Sequence, residues 1–519
     1  MTAEAPPASR SPVRPLPRAL LLTAVAACAA CGLVYELCLL TLGASLTGGG
    51  VTQTSLVIAG YVAALGVGAL LVKPLVPRAA AAFVAVETVL GLLGGLSAAA
   101  LYVSYSFYGA GTFVLLAATA VVGLLVGAEV PLLMTLLQRD RGDARAETSG
   151  RLLADLNAAD YGGALLGGLA WPFLLLPLAG QIRGAALTGL VNLVAAVAVL
   201  WLVRGQLDRR TRRVAPLALA GCGVVLTVLL VQSSDIELSA RQRLYADPVV
   251  EAVRSAYQEI VVTERAGDTR LYLDGDLQFS SLDEYRYTEA LVHPALSRGA
   301  ERVLVLGGGD GLAARELLRT PSVRSVVQVE LDPAVVELAR GRLGALNGHS
   351  LDDPRVAVVL DDAFAWLRGQ QGGGFDAVVI DLPDPDTLAL GRLYSTEFYG
   401  LVQGALAPDG LVVVQAGSPY ATPTAYWRTV ASVGASGLRT TPYHVDVPSF
   451  GDWGFVLAAR QQAPELALAP DAPALRFLDR QVLLASAVFG RDRAPRVLEP
   501  STLDSPLIVA DMRRGWTGQ

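Results

Sequence analysis

The sequence predicts two unlike halves: an N-terminal bundle of membrane-spanning α-helices, and a C-terminal α/β domain of the Rossmann-like type preceded by a small antiparallel β unit. Three observations predict them. Of 519 residues, 53% are hydrophobic and 17% charged, and the mean hydropathy of +0.46 exceeds what a soluble globular chain needs. The hydrophobicity is concentrated before about residue 232, and most charged residues follow it. Beyond that point apolar runs alternate with helical patterns, and one of them, VLVLGGGDG at 303–311, ends in the kind of glycine-rich turn that receives a nucleotide at the edge of a parallel sheet.

In chain order, seven stretches are long and apolar enough to span a bilayer: 19–45, 51–72, 79–103, 112–137, 159–179, 184–203 and 215–232, the last being the shortest. The first is too long for a signal peptide and lacks a clear cleavage site, so it reads as an anchor. Basic residues cluster in alternate connections: Arg10, Arg14 and Arg18; Lys73 and Arg78; Arg139, Arg141, Arg145 and Arg151; and Arg204, Arg209, Arg210, Arg212 and Arg213. Such ends face the cytoplasm. A crossing at 215–232 would then place the polar half outside the cell, whereas the supply of a cytosolic nucleoside favours a cytoplasmic catalytic half. Glu36, Glu87 and Glu129 lie within apolar spans and Asp160 at the start of one. They read as polar helix contacts, with a transport pathway as the alternative. Cys28, Cys31, Cys38 and Cys222 all lie in apolar segments and read as small hydrophobes, without a second ligand pair for a metal. The net charge of -6 and the lack of a basic stripe exclude nucleic acid as a partner.

The domain division expected is 1–235 in the membrane, 236–298 as the small β unit, 299–462 as the Rossmann-like domain, and 463–519 as linker, C-terminal helix and tail. Residues 258–265 and 269–273 alternate as strands and Asp274-Gly275 signals a hairpin. A helix from Asp283 carries Tyr287 and Glu289. Strands follow at 302–306, 325–330, 355–360 and 375–381, with helices at 312–319, 333–343 and 363–368 between them; strands at 411–415 and 453–459 complete a doubly wound parallel sheet.

Acids stand at the strand ends. Glu330 ends the second strand, where a carboxylate accepts both ribose hydroxyls. Asp361 and Asp362 end the third, where a carboxylate suits an adenine amino group, and Asp381 ends the fourth, with Asp384 beyond Leu382-Pro383. The turn itself holds Asp310 and no Lys or Arg. A pyrophosphate would be repelled, so NAD and ATP are poor candidates and a cationic sulfonium nucleoside fits better. The two further acids at 381 and 384 ask for a second cation.

Over roughly 246–460 the chain resembles the spermidine synthase family of polyamine aminopropyltransferases, in its membrane-bound bacterial branch. The motifs are SAYQEIVV, LDGDLQFSSLDEYRYTEALVHP, VLVLGGGDG, VELDP, LDDAF, DLPDP and LYSTEFY. The resemblance implies transfer of an aminopropyl group from decarboxylated S-adenosylmethionine, a co-substrate rather than a bound cofactor, to putrescine or a related diamine. By the same resemblance Gln258, Glu330, Asp362 and Ala363 contact the nucleoside, Asp310 holds the aminopropyl amine, Asp381 is the general base and Asp384 helps hold the acceptor, with Tyr287 and Thr288 beside it. A homo-oligomer in the lipid bilayer is compatible with it. Two departures bear on the acceptor: Tyr287-Thr288-Glu289 stands where the family has Tyr-His-Glu or Tyr-Gln-Glu, and VPSFGDWGF stands where it has Thr-Tyr-Pro-Ser-Gly. Two other readings stay open. One is an S-adenosylmethionine-dependent methyltransferase of class I, which shares the sheet, turn and ribose acid; the other is a polyamine-binding membrane transporter or sensor without catalysis.

Overall fold

The computed structural model describes residues 18–47, 51–139, 146–370 and 373–517, so Arg10, Arg14, Arg141 and Arg145 lie outside the described residues. The chain divides after Ala246 into two compact units.

The first unit consists of α1 (Arg18–Thr47), α2 (Val51–Leu71), α3 (Ala79–Tyr108), α4 (Gly111–Arg139), α5 (Ala146–Ala170), α6 (Leu176–Val203) and α7 (Arg209–Leu244). Its described residues form six apolar segments long enough to cross a membrane, one of which, Leu153–Gln206, has 54 residues. A straight helix of that length would reach roughly 80 Å against a hydrocarbon core of roughly 30 Å, so it is not one crossing. Gly180, at φ 73° and ψ -172°, breaks it. Gly163 and Gly167 of α5 pack on Ala26 and Ala30, parallel to α1. Cys31 and Cys38 of α1 instead meet the carbonyls of Thr188 and Gln181, so α6 runs antiparallel to α1. The expected stretches at 159–179 and 184–203 are therefore the arms of a helical hairpin, joined through a π-helical turn at Trp171–Leu175. Helix α7 contains the stretch at 215–232 but runs on to Leu244.

Small residues let these helices touch. A Cβ on Gly163 would stand 2.0 Å from the Ala26 carbonyl oxygen, and one on Gly127 2.1 Å from that of Leu65. In lipid, where apolar side chains gain nothing by leaving the solvent, such close backbone approach is a main source of helix association.

The second unit opens with an antiparallel sheet of β1 (Val249–Arg254), β2 (Glu259–Arg265), β3 (Asp268–Leu273) and β4 (Asp276–Ser280), followed by α8 (Glu284–Val292). Next come β5 (Arg302–Gly307), α9 (Leu312–Leu318), β6 (Ser325–Glu330), α10 (Pro333–Arg340), β7 (Val356–Leu360), α11 (Ala363–Gly369) and β8 (Phe375–Asp381). The chain continues through α12 (Leu388–Gly391), α13 (Thr396–Ala405), β9 (Leu406–Gln415), α14 (Pro423–Ala435), β10 (Arg439–Val447), β11 (Gly451–Ala459), α15 (Arg480–Ala485) and α16 (Leu507–Thr517). The large sheet has the order β10-β11-β9-β8-β5-β6-β7.

Both faces of that sheet are covered, and its period-two alternation divides the core. Leu304, Leu306, Val378, Ile380, Val412 and Val414 face one layer, and Val303, Val305, Ala377, Val379, Leu411 and Val413 the other. The sheet is not wholly parallel, which corrects the expectation from the sequence. β11 pairs antiparallel with β9, and β10 antiparallel with β11. β10 was hidden because Pro442 and His444 interrupt its apolar alternation; Pro is tolerated there because the strand is an edge.

Candidate active site

The centre of the site follows from strand adjacency. β5 lies between β6 and β8, so the residues that end these three strands meet at one edge. Gly307, at φ 82°, has no room for a side chain, since a Cβ would stand 2.1 Å from the Asp381 carbonyl oxygen. The Gly308 amide donates to the same carbonyl at 2.9 Å. A Cβ on Gly309 would lie 2.7 Å from Oε2 of Glu330, so the turn touches the end of β6 as closely. Asp310, Glu330 and Asp381 thus line one crevice, at the position where open α/β sheets take their ligands.

Asp310 accepts from the Leu312 amide at 2.9 Å. Burial, reinforced by the charge of Asp381, pushes its carboxyl up to about 7. Burial also raises Asp381, to about 6, against the opposing pull of the Tyr287 hydroxyl, which donates to Oδ1 at 2.6 Å. The Tyr287 ring is fixed by Phe450 and Phe455, with centroids 6.0 and 5.3 Å away. Asp384 is pushed up to about 7 by burial; the Gln415 amide opposes this and the charges of Asp276 and Asp386 add to it. Gln415 Nε2 donates to the Leu382 carbonyl at 2.6 Å and to Asp384 Oδ1 at 3.3 Å, and lies 2.8 Å from the buried Tyr394 hydroxyl. The loop that carries Asp381 and Asp384 is therefore braced from beneath by β9.

Carboxyls this crowded do not all ionise unless positive charge joins them. Each of the three is held above its unfolded value, so its stabilising effect is complete below about pH 4 and is lost as the pH rises through the folded values. A bound cation reverses that loss.

At the end of β6, Glu330 Oε1 accepts from the Asp332 amide at 3.0 Å, and burial raises its carboxyl above the usual range. Gln258, just before β2, donates to Asp332 Oδ2 at 3.0 Å, so it stands beside the end of β6. Asp362 caps α11 through the Ala365 amide at 2.9 Å and pairs with Arg392, and Ala363 is the first residue of that helix.

Thr288 is not brought to the crevice. It is buried, and its hydroxyl lies 3.0 and 3.1 Å from the carbonyl and carboxylate oxygens of Glu284. Its neighbour Glu289 also turns away: its carboxylate accepts from the amides of Arg476, Phe477 and Leu478 at 2.8, 2.9 and 2.9 Å. Consecutive residues on a helix point in different directions, so only Tyr287 of the three faces Asp381. The sequence reading passed over Asp276, Asp386, Tyr394 and Gln415. Asp276 follows the Asp274-Gly275 hairpin signal and carries no mark of its own, and Gln415 is signalled by a polar residue ending a run of valines. Among the described residues no group of three or more His, Cys, Asp and Glu is arranged to hold a metal.

A Rossmann-like sheet that gathers buried carboxyls at adjoining strand ends defines an α/β crevice that favours cationic ligands. Residues 284–470 match the spermine/spermidine synthase domain. The polyamine aminopropyltransferase of Mycobacterium tuberculosis (strain ATCC 25618 / H37Rv) is 64% identical over 506 residues, covering 96% of this chain and 97% of the relative. That of Corynebacterium efficiens is 55% identical over 504 residues, covering 96% of each. Polyamine aminopropyltransferase 1 of Streptomyces coelicolor is 50% identical over 511 residues, covering 96% of this chain and 95% of the relative. The chain belongs to the polyamine aminopropyltransferase family, and the likeness extends through its membrane helices.

Proposed function

We propose that this multi-pass membrane enzyme transfers an aminopropyl group from decarboxylated S-adenosylmethionine to putrescine, giving spermidine and methylthioadenosine. One observation carries this assignment of substrates: the charge of Asp381 acts on the buried Asp310 across one crevice, and among the described residues no basic side chain forms an ion pair with either, Arg315 acting on Asp310 only by its more distant charge. Such a site favours two positively charged partners. Glu330 would accept the ribose hydroxyls, with Gln258 and Ala363 beside the base, and the adenine amino group would take the place of Arg392 on Asp362. Asp310 would hold the ammonium end of the aminopropyl arm, and Asp384 the far ammonium of the acceptor.

The near amine of the acceptor must lose a proton before its lone pair is free, since its reference pKa is about 10. Asp381 takes that proton as the nitrogen attacks the carbon next to sulfur. The C–N bond forms as the C–S bond breaks, and the bonding pair returns to sulfur to leave a neutral thioether. The hydrogen bond from Tyr287 fixes which carboxylate oxygen faces the amine, and alignment of the two substrates supplies further acceleration.

Purified full-length protein given both substrates is expected to release methylthioadenosine, and calorimetry is expected to show tighter binding of the decarboxylated nucleoside. Preference for the carboxylated form would overturn the reading in favour of methyl transfer.

We place the catalytic unit in the cytoplasm, where a nucleoside donor is supplied. The seven-helix path from a basic N-terminal end argues for the opposite face. A reporter fused after residue 240 is expected to be active in its cytoplasmic form; activity only of an exported form would reverse the placement.

A further inference from the structure

The membrane unit encloses polar groups that aminopropyl transfer does not use. Glu87 of α3 is 0% exposed and Glu129 of α4 is 4% exposed. Both carboxyl oxygens of Glu87, and Oε1 of Glu129, lack a hydrogen-bond partner among the described protein groups. The ionisable side chains that interact with this pair are Cys28, Cys31 and Tyr35 of α1, Tyr61 of α2 and Asp160 of α5. All are neutral or acidic, so among the described residues no cation answers the two carboxyls.

Asn192 provides an independent observation. It is 0% exposed on α6, and its Nδ2 donates to the Glu87 carbonyl at 3.0 Å, which sets the amide against Glu87. Its Oδ1 has no partner. Four acceptor atoms from three helices, Oε1 and Oε2 of Glu87, Oε1 of Glu129 and Oδ1 of Asn192, therefore share a region shielded from water, where the Cys28 thiol and the Asn192 amide stand near Glu87 without forming a well-aligned bond to its carboxyl. Polar groups in such surroundings are costly unless paired. A proton shared between the carboxyls would satisfy them in part and leave Asn192 Oδ1 as it is. A primary ammonium brings one positive charge and three N–H donors; with one of the two carboxyls protonated, the remaining charge is neutralised and the ammonium N–H groups and the carboxyl O–H together supply four donors.

We propose that the membrane unit binds the ammonium end of an alkylamine at Glu87, Glu129 and Asn192, a second amine site separate from the catalytic crevice. The choice of amine rests on the aminopropyl-transfer reading, because the catalytic unit then consumes one primary amine and produces another. The site itself rests only on the helix geometry.

The test uses the full chain in phospholipid nanodiscs, equilibrium dialysis with labelled putrescine, and methylthioadenosine release measured on the same preparation. Wild type is expected to bind two putrescines per chain. The double variant Glu87→Gln, Glu129→Gln is expected to bind one while keeping its transfer rate within about twofold. Asn192→Ala, which retains both carboxyls, is expected to weaken the second site by about tenfold, the loss of one buried hydrogen bond. It serves if the double variant does not assemble. Equal stoichiometry in wild type and variants overturns the proposal. So does an infrared carboxylic-acid band, absent from the double variant, that putrescine leaves unchanged, which identifies a proton site. If transfer fails but the second class of binding is lost with Glu87 and Glu129, the membrane site stands and the catalytic reading falls.

Discussion

Asp381→Asn is expected to lower aminopropyl transfer by about 10²–10⁴-fold, the range that a positioned general base contributes. The substitution is nearly isosteric, and the asparagine oxygen can still accept from Tyr287, so the crevice keeps its shape. What is lost is the ability to take the acceptor's proton. Donor affinity, measured by calorimetry, should change little, because Glu330 and Gln258 are untouched. A variant retaining more than a tenth of the wild-type rate of methylthioadenosine release would remove Asp381 from the role of base. The pH profile provides a second readout. With the Asp381 carboxyl pushed up to about 6, the wild-type rate should climb as the pH rises through that value and the base ionises. Tyr287→Phe removes a donor that favours the carboxylate, so its ascending limb should move to higher pH.

Glu289→Ala is expected to destabilise the catalytic unit by about 3 kcal/mol or more, since three backbone amides lose a charged acceptor in a buried setting. Glu289 is 0% exposed, and the amides belong to Arg476, Phe477 and Leu478. Their loss should release the segment that precedes α15. The readouts are a lower melting temperature of the detergent-solubilised chain and faster proteolysis within 463–473. Glu289→Gln, which keeps one accepting oxygen, should fall between. If Glu289→Ala melted with the wild type, the clasp would contribute nothing to stability.

The sequence carried the crevice further than the packing around it. Glu330 and Asp381 were legible because each ends a buried strand, and Asp310 because it sits in the glycine turn just beyond one; strand ends on one sheet edge must converge. The membrane stretches were legible from composition alone. Less legible was anything decided by direction or by contacts distant in the chain. Tyr287, Thr288 and Glu289 form one motif in sequence, yet the helical rotation assigns one to the crevice, one to Glu284 and one to the segment at 476–478. Gly180 carried no mark distinguishing a hairpin break from other glycines in apolar helix. The departure at VPSFGDWGF proved to be the turn between β10 and β11 and the start of β11, with Phe450 packed on Tyr287. An aromatic ring there steadies the tyrosine that donates to Asp381.

The clasp at Glu289 also sets a timetable. It joins residues 187 positions apart, and at cellular synthesis rates the second half emerges roughly 10–40 s after the first. By then the seven membrane helices have left the ribosome. Until then Glu289 lacks its three amide partners, and closing so long a loop makes this a late step of folding.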